Sequence, residues 1–436
     1  MTPQSTFMIV APIRQNSVGA IRELLASMNS GPGIADPENT LVPFGRFANL
    51  HFARFVVLDD ITIGDPAEFY GVERPDPPIY LAFLGDFDGS YDSFINLLLE
   101  VAAPGLRQIF SLCEGFSPDA DLREWVVAHE TRPAAYYCNW VGRTVRQTIE
   151  EERLRLALRS YLDASPDIAD SPAATLHQSL HRFVQGELKA GRLTLTPPDP
   201  TPLDYSLRTI LDWVVLFAVL LGAIVTLPIT IIPLALLAWM LRSREKSDPE
   251  FAPLPDKQLA TSLAIQEDYD VTNQFSAMGT LKPGWFRSLI ARVALWVINL
   301  TARIIYTKGR LTRIHTIHFA RWVYLDNRAR VFFASNYDGS LESYNEDFIN
   351  KVSIGLNLIF GNGIGYPRTA WLISKGAKDE QKFKYYLRRH ELPTDVWYNA
   401  HVGLTAYDLQ RNSVIRLAVE KPSLSETEAR AYVTLL

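Results

Sequence analysis

Apolar positions along the 436-residue chain follow two periods and one exception. In the first half, Phe7 to Ile13 is a short apolar run that suits a strand, and Val18 to Met28 carries apolar residues at helical spacing behind Ser17, a natural N-cap. His51 to Leu58 and Ile79 to Phe87 are β-branched and aromatic runs joined by a Pro-rich, Gly-containing insertion, and both read as strands. Ser90 then precedes the helical stripe of Phe94, Leu97, Leu98 and Val101, and a last strand is expected over Ala135 to Val141. The second half predicts the same order. Asn273 to Leu281 is a strand and Trp285 to Tyr306 a long helix; Thr316 to Leu325 and Arg330 to Tyr337 form a hairpin over a tight turn of Asp326, Asn327, Arg328 and Ala329. Leu341 to Val352 is a helix and Val396 to Leu404 the final strand. The exception is Trp213 to Leu241, which is uncharged and apolar throughout.

Shared order comes with shared residues. His51, Phe52, Ala53 and Arg54 recur as His318, Phe319, Ala320 and Arg321; Asp88, Gly89 and Ser90 recur as Asp338, Gly339 and Ser340; Tyr137, Val141, Gly142 and Thr144 line up with Tyr398, Val402, Gly403 and Thr405. Such matches, in the same order in both halves, mark a tandem duplication. Each copy reads βαββαβ, the ferredoxin-like order. The expected fold class is α+β: two tandem ferredoxin-like units packed as a pseudo-dimeric α+β barrel, because each has one sheet face to cover. Residues 1–165 form the first unit; 166–205 hold a helix (Ala173 to Leu188) and a Pro-rich linker (Thr196 to Pro202); 206–246 form a membrane segment and 247–436 the second unit.

As one straight helix, Trp213 to Leu241 would be about 43 Å long against a hydrocarbon core of about 30 Å. Trp213, Phe217, Pro228, Pro233 and Trp239 are its markers for contact with a lipid bilayer. A single span would put the paired units on opposite sides. Pro228 and Pro233 interrupt the helical ladder near the middle, and Arg208 before the stretch, with Arg242, Arg244 and Lys246 after it, puts positive charge on both flanks. The expectation is a re-entrant hairpin at the cell membrane with both units on the cytoplasmic side, a single tilted span being the alternative. Trp285 to Tyr306 carries Arg287, Arg292, Arg303 and two tryptophans, which suits a helix lying at a lipid surface.

Composition narrows the function classes. A net charge of -5 gives no field for a polyanion, so no nucleic-acid partner is expected. The two cysteines, Cys113 and Cys138, are too few for a disulfide framework, and no Cys or His spacing has the form of a zinc site; a reducing setting and no metal are expected. The N-terminal residues do not read as a secretory signal, so translocation of the first half is not expected. GxSxG, P-loop and dinucleotide fingerprints are absent, and Gly361 to Gly365 reads as a helix-ending loop.

The recurring charged residues are the candidates for chemistry. Alternation puts His51, Ala53, Phe55 and Val57 on one strand face and Phe52, Arg54, Val56 and Leu58 on the other. Arg54 and Arg321 thus occupy apolar faces, where an unpaired guanidinium costs several kcal/mol, and Asp88 and Asp338 at the neighbouring strand-to-helix turns are the expected partners. Two readings stay open: a structural pair that fixes the turn, or an anionic-ligand or acid-base site. The candidate catalytic set is Arg54, Asp88, Arg321, Asp338 and His318. His177 and His181 stand at helical spacing without a third ligand and read as a solvated face. His129 and Glu130, like His390 and Glu391, precede a Pro as loop or helix-end residues. His401 replaces Trp140 of the first copy, and opposite edges of a ferredoxin-like sheet would hold it and His318 about 14 Å apart at ~4.8 Å per strand.

Two tandem ferredoxin-like units resemble the dimeric α+β barrel superfamily, whose paired sheets hold a ligand or cofactor beside or between them and which includes dye-decolourising peroxidases and chlorite dismutases. Gly85, Asp88 and Gly89 match the GxxDG pattern of the dye-decolourising peroxidases, and the resemblance implies for Asp88 a distal acid-base role over a haem. The second copy has Ser335 in place of Gly85, and neither half shows a counterpart of that family's proximal histidine region. Three function classes result: a membrane-attached protein that binds, and in one version transforms, a hydrophobic or lipid-derived small molecule; a haem-dependent peroxidase-like oxidoreductase; and a non-catalytic membrane scaffold. The cofactor, the oligomeric state and whether the chain is an enzyme stay open.

Overall fold

The β-branched and aromatic runs form two sheets in the computed structural model, which describes residues 1–169 and 171–436 and is mixed α+β. In the first half β1 (Gln4–Pro12), β2 (Leu50–Leu58) and β3 (Tyr80–Asp88) are antiparallel in the order β1-β3-β2. After β4 (Ala135–Cys138), the second half repeats the order as β5 (Thr272–Thr280), β7 (Arg330–Asp338) and β6 (Ile317–Leu325), and ends on β8 (Val396–Asn399). The fourth strands are exchanged. β4 pairs with β6 of the second half, and β8 pairs with β2 of the first, both antiparallel.

This order differs from the one expected, in which each fourth strand lies beside its own first strand, and the reason is local. The chain ahead of β4 does begin along the β1 edge: Val10 N–H donates to His129 O at 2.9 Å and Thr131 N–H to Met8 O at 2.8 Å. Pro133 follows, and without an N–H it cannot continue the ladder, so the chain leaves for the other sheet. Pro393 does the same after Leu392 N–H donates to Ser276 O at 2.8 Å. The two halves are thereby interlocked.

Helices cover the outer faces. α1 (Val18–Ala26) and α2 (Tyr91–Phe110) bury Ile21, Leu25, Phe94 and Leu98 against Phe7, Phe55 and Phe83 of the first sheet. α3 (Val145–Asp163) and α4 (Ala173–Lys189) stand at one end, and α5 (Leu203–Ser247) is the long apolar helix. α6 (Trp285–Ile304), α7 (Leu341–Phe360) and α8 (Glu380–His390) cover the second sheet, while α9 (Ala406–Val419) joins α3 and α4 through Leu154, Leu158, Leu180, Ile415 and Val419. Matching capping boxes, Thr144 with Gln147 and Thr405 with Asp408, start α3 and α9. α7 runs past its expected end but leaves helical geometry there, at Val352 (φ -138°).

α5 is one continuous helix and not a re-entrant hairpin. Pro228 and Pro233 each remove a single N–H and the ladder bond to the carbonyl four residues back, whereas reversing the chain would free far more backbone groups in apolar surroundings. Thr226 Oγ1 and Thr230 Oγ1 add bonds to Gly222 O and Thr226 O at 2.7 and 3.0 Å. By length and composition α5 is able to cross a membrane. Both its ends, however, are tied to one body. Asp212 pairs with Arg303 at 2.8 Å, and Glu245 accepts from Thr369 Oγ1 and from the Trp371 and Leu372 N–H groups at 2.7, 2.7 and 2.9 Å. Every residue from Phe217 to Ile229 is exposed. The exchanged strands are also incompatible with a span that separates the halves across a bilayer.

Candidate functional site

The inner faces of the two sheets meet in three layers. At one end Met8, Val56, Leu84, Val323, Phe332 and Ala334 form a closed apolar plug. In the middle lie the two recurring arginines, and each reaches across to the other half. Arg321 Nη2 donates to Asp86 at 2.6 Å and Nη1 to Phe7 O at 2.8 Å. Arg54 Nη1 donates to Phe275 O at 2.8 Å and Ser276 Oγ at 3.0 Å, and Nη2 to Ser335 O at 2.9 Å and to Asn336 Oδ1. The expected pairs Arg54–Asp88 and Arg321–Asp338 are not formed. Arg54 and Asp88 sit at different depths, and the guanidinium reaches the facing sheet instead. Burial first, and then the Arg321 charge, push Arg54 down; burial raises Asp86 against the pull of Arg321 and Arg54.

At the other end are the histidines. β2 and β6 each carry a bulge between Leu50 and Phe52 and between Ile317 and Phe319, so His51 and His318 are the extra residues. A bulge re-aims its side chain, and His51 does not share the outer face of Ala53 but lies across the seam, its ring 5.3 Å from that of Phe319. His318 mirrors it at 5.5 Å from Phe52. Each histidine holds the recurring aspartate, His51 Nε2 to Asp88 at 2.9 Å and His318 Nε2 to Asp338 at 2.6 Å. Asp88 also accepts from Val145 N–H at 2.8 Å and Gln4 Nε2 at 3.1 Å; Asp338 accepts from Ala406 N–H at 2.8 Å and Thr272 Oγ1 at 3.0 Å. The repeated aspartates therefore anchor the N-termini of α3 and α9, where negative charge is favoured.

One difference breaks this symmetry. Strand exchange carries His401 to the end of β2, where its Nε2 is 2.9 Å from His51 Nδ1 and its Nδ1 is 3.3 Å from Thr148 Oγ1. The expected separation of His401 from His318 assumed unexchanged strands; the two instead line one narrow cleft with His51, Gln4, Trp140 and Thr148. Thr148 has one hydroxyl hydrogen and two acceptors in reach, His401 Nδ1 and Val145 O at 2.8 Å. Its rotation selects the His401 tautomer and, through the shared proton, what His51 presents to Asp88. Burial, then the neighbouring His51, His318 and Arg143, hold His401 well below the usual imidazole range.

A second, narrow apolar cavity lies outside the second sheet beneath α6, α7 and α8, lined by Phe275, Ala277, Ala291, Leu295, Phe333 and Phe360 among others. The interior between the sheets, expected to hold a ligand, is instead filled by the plug and the arginines. His390 borders the outer cavity and is pushed down by burial. The residues do not fit a haem: Asp88 is 8% exposed, is held by His51, Gln4 and Val145, and forms no part of the cleft wall. His177 and His181 are not a solvated face; their rings bond the carbonyls of Ala418 and Val419 at 3.0 and 2.7 Å and fasten α4 to α9.

His51, His401 and Asp86 were outside the candidate set. Asp86 was legible, since alternation along Ile79 to Phe87 puts it on the face that Arg54 shares. The bulge and the strand exchange have no such signal. Comparison with known proteins returned no matching family model, no matching curated protein and no matching solved structure.

Proposed function

We propose that this is a membrane-attached protein that binds a hydrophobic or lipid-derived small molecule, built from duplicated ferredoxin-like units paired as an α+β barrel with exchanged fourth strands. The observation that carries the reading is the position of the apolar cavity beneath α6. That helix buries Ala291 and Leu295 toward the cavity and exposes Trp285, Leu289, Val293, Trp296 and Val297 on its far side. An amphipathic helix of this kind suits a bilayer interface, beside an apolar α5 whose middle is exposed. A hydrophobic ligand then passes from lipid to cavity without crossing water.

Native mass spectrometry of gently extracted protein tests this. Wild type should carry co-purified lipid, and Ala291→Trp, which fills the cavity, should lose it while keeping its circular dichroism. Bare wild-type protein, or lipid retained in equal amount by a folded Ala291→Trp variant, would point to a scaffold without a ligand. A second reading has one specific support, the His51–His401 contact: a buried aspartate-histidine-histidine-threonine relay has the connectivity for moving a proton at the cleft.

A further inference from the structure

Where α5 ends and α6 begins, a separate cleft of about 320 Å³ is lined by Tyr70, Arg244, Ser247, Asp248, Lys282 and Arg287, with Phe69, Pro249 and Pro283. Three of these residues are cations and one is a carboxylate. Asp248 accepts from Lys282 Nζ at 3.0 Å and from Arg287 Nη2, so a single negative charge serves two buried positive ones. Arg287 is 1% exposed, yet its Nε and Nη1 have no acceptor. Leaving such donors buried and unpaired is unfavourable, so they favour an acceptor brought by a ligand. Arg244 is exposed and forms no salt bridge among the described residues; its guanidinium lies 5.9 Å from the Phe286 ring, against Gly284. Gly284 (φ 102°) turns the chain into α6, whose first N–H groups have no carbonyl one turn back. Two uncompensated positive charges, orphaned guanidinium donors and the N-terminus of a 20-residue helix converge on one cleft. Phosphate, with its double charge and several acceptor oxygens, matches that set.

The cleft adjoins the apolar cavity. Lys282 holds the loop after α7 by donating from Nζ to Gly361 O at 3.0 Å and from its N–H to Asn362 O at 2.8 Å, while the next residues, Leu281 and Gly363, line the cavity. Arg287 and Ala291, one turn apart on α6, line cleft and cavity respectively. Arg244 follows the apolar stretch by one turn. Resting on the reading of the cavity given above, we infer that Arg244, Lys282 and Arg287 bind the phosphate of an amphipathic ligand whose hydrocarbon part occupies the adjoining cavity.

The test titrates the full-length protein in nonionic detergent with inorganic phosphate and with dihexanoyl phosphatidic acid, at constant ionic strength in chloride. Both should bind, the lipid at least about tenfold more tightly, a difference of about 1.4 kcal/mol. Arg244→Glu, a change at an exposed site, should weaken both with unchanged circular dichroism, and Ala291→Trp should weaken only the lipid. Equal binding of the two ligands, unaffected by Ala291→Trp, would leave a site for free phosphate and overturn the lipid assignment. No binding of either, or indifference to Arg244→Glu, would overturn the phosphate site itself, even with lipid found in the cavity by mass spectrometry.

Discussion

Arg321 and Asp86 come from different halves, so their pairing reports on the seam as well as on local stability. Removing one partner of a buried pair strands the other charge, and Arg321→Ala and Asp86→Ala should each cost about 3 kcal/mol, with the double variant well below the sum. Denaturant unfolding of the cycle measures this; additivity for Arg321 with Asp86 would contradict the contact. Two other buried groups give opposite pH slopes. His401 is held neutral when folded and regains an ordinary imidazole when unfolded, so the unfolded chain takes up the proton as pH falls below about 6.5 and stability drops. Burial, opposed by Arg388, raises Glu391 to about 8, so its contribution is fully present below about 4.5 and is lost as pH rises through about 8. Stability curves should therefore lose their acid-side fall in His401→Gln and their alkaline-side fall in Glu391→Gln; unchanged curves would contradict both assignments. At this scale the alternation of Arg54 with Val56 was readable, but the turn of His51 toward the seam was not, because it depends on a bulge set by pairing with β3.

Among the elements, runs with a clean period were legible and their partners were not. β1 to β3 and β5 to β7 lie where apolar alternation puts them, since each buries a sheet face. The exchange of β4 and β8 turns on Pro133 and Pro393, whose effect shows only once the β1 and β5 edges are seen to be in use. For α5 the prolines misled in the other direction, because they bend a helix more readily than they reverse it. The ties at Asp212 and Arg244 are about 48 Å apart along a straight helix, while their partners Arg303 and Phe286 on α6 are about 26 Å apart. A bend at Pro228 and Pro233 is the expected way to bring the two lengths together. Replacing both prolines with alanine should lengthen the spin-label distance between positions 208 and 246, read by pulsed electron resonance; an unchanged distance would mean that the prolines do not set the shape.

For the whole molecule, the exchanged strands constrain the membrane attachment proposed above. The interlocked halves form one body, both ends of α5 return to it, and the exposed faces of α5 and α6 give it apolar surface. That neighbouring elements would gather the apolar cavity, the cleft of Lys282 and Arg287 and the long apolar helix on α6 was not legible in the sequence, where these residues are scattered from Phe69 to His390. The direct measurement is thiol labelling with a membrane-impermeant reagent in sealed, oriented vesicles, using cysteines placed one at a time at Arg22 and Tyr407 in the two halves and at Arg208 and Lys246 flanking α5. All four should be reached from the same side. Labelling of Arg208 and Lys246, or of Arg22 and Tyr407, from opposite sides would contradict a single interlocked body held on one face of the bilayer.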